Sequence, residues 1–201
     1  ITIKLLFKVE FLTSTVKAMR RFSVSGLLTF FLGLFLGISH MSGNMGENYT
    51  VFLNSHILFA SFGYAVLLII GVSFQVIPMF YVAQDFPKVV QNKMPLFIFF
   101  LLFLSFFFFF FKINFFILKV LFVFIFITYS YFGLKSLNNR KRPVFNITLW
   151  YWKLSLIMFI LSMVLWLFDI FESSFILAVV FAFGFLYSLL QGMVYKIIPF
   201  L

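Results

Sequence analysis

From Leu96 to Phe111 the chain carries no polar side chain other than Ser105, and Phe106 to Phe111 is an unbroken run of phenylalanine. A half-buried strand would alternate apolar with polar positions, and this stretch has no such period. A helix without a polar face needs an apolar medium on every side, and a bilayer core takes about 20 mainly apolar residues per crossing. Other stretches share this character, so the pattern predicts spans over 22–40, 51–80, 96–111, 114–134, 147–168 and 174–198. Composition excludes a soluble alternative: 64% of the 201 residues are hydrophobic and 10% charged, against roughly 45–50% and 25% in a globular domain. The fold class expected is all-α, a polytopic transmembrane bundle. No linker-like tract divides it, which predicts a single domain over 1–201.

The formal net charge is +10. The basic residues gather in short segments between apolar runs, where they set topology rather than bind nucleic acid. Lys4, Lys8, Lys17, Arg20 and Arg21 precede the first span, and Lys135, Arg140, Lys141 and Arg142 follow the fourth. The loops holding Glu47 and the Asp169/Glu172 pair carry no Lys or Arg. This alternation predicts that both ends are cytoplasmic; the location expected is a bacterial inner membrane, with the lipid bilayer as the first partner. Lys112, in a tight outer turn, is the exception. Pro78 is expected to kink or end the long second run, and Pro95 to stand just ahead of the third span. Trp150, Tyr151 and Trp152 open the fifth span as an aromatic belt would. Lys119 and Lys153 are expected to snorkel to the interface.

The chain has no cysteine, which removes disulfides and thiolate metal sites. No carboxylate lies within a span, which weakens a proton-coupled carrier. No phosphate-binding glycine loop, nucleophile elbow or metalloprotease helix is present.

One self-similarity stands out. GVSFQVIPMF at 71–80 returns without a gap as GMVYKIIPFL at 192–201, and the same offset of 121 pairs Phe62-Gly63 with Phe183-Gly184. Matches of Phe mean little in this chain, whereas Gly63/Gly184, Gly71/Gly192 and Pro78/Pro199 pair scarce residues. The signatures, taken over 55–80 and 176–201, fall on the second and sixth spans, which predicts a parallel repeat with a four-span unit. Its second unit would lack two helices, so the chain is expected to be truncated. Each glycine would let a neighbouring helix approach closely. Gln75 and Lys196 occupy equivalent positions and are candidates for a polar path.

The two histidines, His40 and His56, both map to the outer end of the bundle. At 100° per residue Gly26, Gly33, Gly37 and His40 share one face of the first span, and His56, Ala60 and Gly63 share one face of the second. Imidazole is a common ligand to haem iron and copper, and an ionisable group inside a span is expensive enough to suggest function. The alternative is an interfacial His40 and a hydrogen-bonded packing role for His56.

The segment SHILFASFGYAVLLIIGVSFQVIPMF, with His56 seven residues ahead of Gly63 and the ending Gly71, Gln75, Pro78, Met79, resembles helices of membrane proteins related to haem-copper oxidase subunit I, in particular short relatives and the NnrS family. GMVYKIIPFL resembles a second signature of such proteins. The resemblance covers about a quarter of the chain. It implies arcs of four helices and makes His56 a helix-borne ligand to haem or copper, with His40 as a secondary candidate. The position equivalent to His56 on the sixth span is Leu177, and no paired histidines come after it, so a complete oxidase is not expected. The function implied is respiratory electron transfer or a nitric-oxide or metal response, with other respiratory-chain subunits or further helices of the same chain as partners. A transporter or permease built from parallel repeats, and a non-catalytic structural subunit, are the alternatives.

Overall fold

The computed structural model describes residues 14–43, 46, 48–141, 146–168 and 174–198, and all regular structure among them is helical. Six helices are long and apolar enough to cross a membrane. Helix α1 is Ser14–Met41, α2 runs continuously over Tyr49–Tyr81, α3 is Lys88–Phe110, α4 is Phe116–Asn138 and α5 is Ile147–Phe168. Helix α6 joins Ser174–Val179, Val180–Tyr187 and Ser188–Ile197 end to end. The chain is an all-helical membrane-spanning protein. At 1.5 Å per residue the 33 residues of α2 extend about 50 Å, well beyond the ~30 Å hydrocarbon core.

Two helices depart from α geometry. Phe59–Val66 within α2 and Val180–Tyr187 within α6 are π-helical. Such turns are rare and occur mostly as single wide turns inside α-helices.

Helix ends obey local chemistry. Gly43 takes a left-handed φ of 70° after α1, where Ser42 N–H donates to the Ile38 carbonyl at 2.9 Å. The carbonyl of Pro78, three residues before the end of α2, accepts the Ala83 N–H at 3.3 Å, and Val82 is left-handed with φ 48°. Ile113 N–H likewise donates to the Phe108 carbonyl at 2.9 Å, with Lys112 at φ 52°. Both are six-to-one closures of the Schellman type, in which glycine usually takes the left-handed place. Pro78 therefore falls in the final turns of α2, as expected of a terminator. Pro95 lies inside α3, because the helix begins at Lys88 rather than after the proline. The stretch Lys88–Met94 holds helix-compatible residues and no breaker.

The packing divides into two compact units. The first comprises Ile1–Gln75 and Lys88–Ile113, the second Val76–Pro87 and Asn114–Leu201. The division falls between Gln75 and Val76, within α2, where the sequence has no linker.

In the first unit α1 packs along α2, and α3 packs against both. A Cβ on Gly63 would lie 2.9 Å from Ser25 Cβ and 3.0 Å from a Leu102 methyl, so the glycine sets how closely three helices meet. Phe59 meets Phe103 edge-on with centroids 5.6 Å apart. In the second unit α5 packs against both α4 and α6. Phe159 stacks on Phe185 at 4.1 Å and meets Phe126 at 5.2 Å. Lipid tails are as apolar as these side chains, so close packing rather than water exclusion holds such contacts.

Outward faces are apolar: Phe124 is 70% exposed, as a lipid-facing residue should be. Several buried hydroxyls are satisfied along their own helices, as in Ser55 Oγ to the Val51 carbonyl at 2.7 Å and Ser105 Oγ to that of Leu102 at 2.6 Å, whereas Ser25 Oγ and Ser130 Oγ are buried without a partner. The satisfied hydroxyls need no water within the span.

Candidate functional site around His56

His56 lies one turn before the π-helical segment of α2 and is half-buried. Its ring leans on α1 at a point where α1 has no side chain, since a Cβ on Gly33 would sit 3.0 Å from His56 Cε1. The missing side chain lets Nδ1 reach the Thr29 carbonyl at 3.0 Å. A carbonyl only accepts, so Nδ1 carries the proton in this bond and Nε2 of the neutral ring holds the free lone pair. Metal-bound histidines are commonly oriented by such a bond from the second ring nitrogen. The geometry therefore contains both readings of His56, an interhelical tether and an imidazole with Nε2 left to ligate.

His40 does not join it. It occupies the last turn of α1 and is exposed. Seven residues separate it from Gly33, about 10 Å of helix axis. Gly26 and Gly33 both face α2, the former under the Tyr64 ring at 3.0 Å, whereas a Cβ on Gly37 would meet nothing within 4 Å. The small-residue face of α1 is used at its first two glycines only. Among the described residues no three His, Cys, Asp or Glu side chains gather in a metal-binding group. A closed metal site at His56 would need donors beyond the two histidines, which lie apart.

The repeat positions occupy varied surroundings. Gly71 is buried in α2, Gln75 is exposed, and Leu177 is half-buried in α6. Gly184 faces Met158, whose Cβ and Cγ would be 3.1 Å from an added Cβ, and Gly192 faces Tyr151, Trp152 and the Thr148 carbonyl at 3.1 to 3.3 Å. Pro199 lies outside the described residues. Lys196 is half-buried, with Nζ 5.5 Å from the centre of the Tyr81 ring. The Tyr81 hydroxyl donates to Thr148 Oγ1 at 2.9 Å, and Thr148 Oγ1 donates to Asn146 Oδ1 at 2.8 Å. No sequence pattern announces this chain of hydroxyls, since it joins residues far apart in the sequence.

The other lysines within spans also rest on aromatic faces. Lys119 Nζ lies 5.7 Å from the Trp166 ring and Lys153 Nζ 5.5 Å from that of Trp150. A cation over an indole is attracted by the ring quadrupole, which gives each ammonium a local partner. Trp150 is 56% exposed, whereas Trp152 is fully buried with Nε1 unpartnered, because Gly192 opens a slot for its ring between α5 and α6. No family model, no curated protein and no solved structure matches this chain.

Proposed function

We propose that this integral membrane protein works with a haem iron in respiratory electron transfer or a nitric-oxide or metal response, with His56 as the residue that would hold the iron through Nε2. The supporting observation is the bond from Nδ1 to the Thr29 carbonyl at 3.0 Å, which orients the imidazole and directs its remaining lone pair to Nε2. A bound haem would supply one-electron chemistry. The chain's own part is to hold the ring between Gly33 and α2 at a fixed tautomer. Any further donor would come from another subunit or from further helices of the same chain, and copper is the alternative metal. Loop charges favour cytoplasmic ends in a bacterial cell, with α1 and α2 meeting at the outer side.

Purified full-length protein should show a Soret band that His56→Ala removes and His40→Ala leaves in place. Absence of any Soret band, with no copper by elemental analysis, overturns the reading.

A transporter is the second reading, favoured by the polar sequence Lys196, Tyr81, Thr148 and Asn146 at one end of the second unit. In that case Lys196→Ala and Gln75→Leu abolish solute uptake by proteoliposomes, while His56→Ala leaves it near the native rate.

A further inference from the structure

The loop 82–87, which leaves the end of α2, lies beside the last turn of α4. Ser136 Oγ donates to the Gln84 carbonyl, Lys141 N–H donates to the Val82 carbonyl at 3.1 Å, and the Phe86 ring stacks on Tyr129 at 6.1 Å with 8° between planes. These contacts fix the loop and leave a cleft of about 80 Å³ beside it. Phe86 and Phe132 line the cleft together with Gln84, Ser136 and two exposed charges of opposite sign, Asp85 and Lys135.

Three features define what such a cleft can hold. The helices beside it end there, α2 at Tyr81 and α4 at Asn138, so on this assignment of spans it would open at the level of the polar head groups. Exposed Tyr131 lies beside it, with Lys135 Nζ 6.0 Å from the ring centre, as interfacial aromatics and lysines do. Its lining carries both signs: Lys135 suits a phosphate, whereas Asp85 repels a purely anionic head group and accepts hydrogen bonds from an ammonium. Aromatic rings favour a cation near their faces.

We infer that this cleft binds a phosphoethanolamine group, supplied by a phospholipid of the surrounding leaflet, with the primary ammonium at Asp85 and the phosphate at Lys135. A quaternary ammonium has no N–H to give Asp85, so a choline lipid loses that charge-assisted bond. The site is independent of His56, and its occupant acts as a structural lipid where the end of α2 meets the end of α4.

The test is native mass spectrometry of the full chain in detergent with phosphatidylethanolamine, phosphatidylcholine or phosphatidylglycerol of matched acyl chains. The ethanolamine lipid should be retained about tenfold more tightly than either other lipid, the size of one charge-assisted hydrogen bond. Asp85→Asn should erase that preference over the choline lipid, and Lys135→Gln should weaken both zwitterionic lipids. Both side chains are exposed, and an unchanged helical circular dichroism spectrum checks folding. Equal retention of the ethanolamine and choline lipids by the native chain, or a preference that survives Asp85→Asn, overturns the inference. Displacement of the lipid by an equal concentration of soluble phosphoethanolamine overturns the lipid as the source.

Discussion

Gly63 and Gly184 hold the same place, the fifth residue, in π-helical segments of equal length that lie 121 residues apart. The offset is the one that aligns GVSFQVIPMF with GMVYKIIPFL. Backbone form and sequence identity thus coincide at the same register. Each glycine also meets a helix preceding its own, Gly63 at Ser25 and Gly184 at Met158.

Close approach at Gly63 should make it intolerant of a methyl group. Gly63→Ala presses on Ser25 Cβ and Leu102 and should cost about 1–3 kcal/mol, the usual range for overpacking. Gly37→Ala meets open space and should be neutral or slightly stabilising. Denaturation in mixed detergent micelles, monitored by circular dichroism, orders the two; equal midpoints would refute the packing assignment.

Val82 is a β-branched residue at φ 48°, a conformation that costs such a side chain about 1–2 kcal/mol. Val82→Gly should therefore stabilise the protein by about 1 kcal/mol in the same assay. A loss of stability would show that the left-handed turn is not the resting conformation.

Tyr81→Phe removes one donor from the hydroxyl chain while Thr148 keeps Asn146 as its acceptor. The loss should be about 1 kcal/mol. Thr148→Val removes both bonds and should cost more, which a double-mutant cycle with Tyr81→Phe measures directly.

The absence of native cysteine makes topology directly measurable. Ser42→Cys, in the turn after α1, should react with a membrane-impermeant maleimide added to intact cells. Asn139→Cys, after α4, should react only once the membrane is opened. The reverse pattern would invert the orientation.

Helix existence was legible from apolar runs alone, because a Phe-rich stretch such as 96–111 has no other stable form in lipid. Boundaries were less so: Pro95 looked like a start signal, yet the polar turn Lys88–Lys93 extends α3 ahead of it. The position of His56 on α2 could be counted. Its partner could not, since the Thr29 carbonyl becomes reachable only where Gly33 lets the ring against α1. Trp152 carries the composition of an interfacial anchor but is buried against Gly192, on a different helix. The π-turns were not legible in the periodicity, because apolar side chains at nearly every position, broken only by Ser61 and the two glycines, give little phase to lose.

The wide turn in α6 sets the rotational phase of the residues beyond it. A π-turn carries one residue more than an α-turn, so removing a residue from 180–187 would rotate the distal part of the helix by about 100°. Gly192 would swing off the Trp152 indole and Lys196 off the Tyr81 ring, leaving every side chain intact but facing the wrong neighbour. The number of residues in that segment, more than their identity, keeps the distal end of the sixth helix in phase with the fifth.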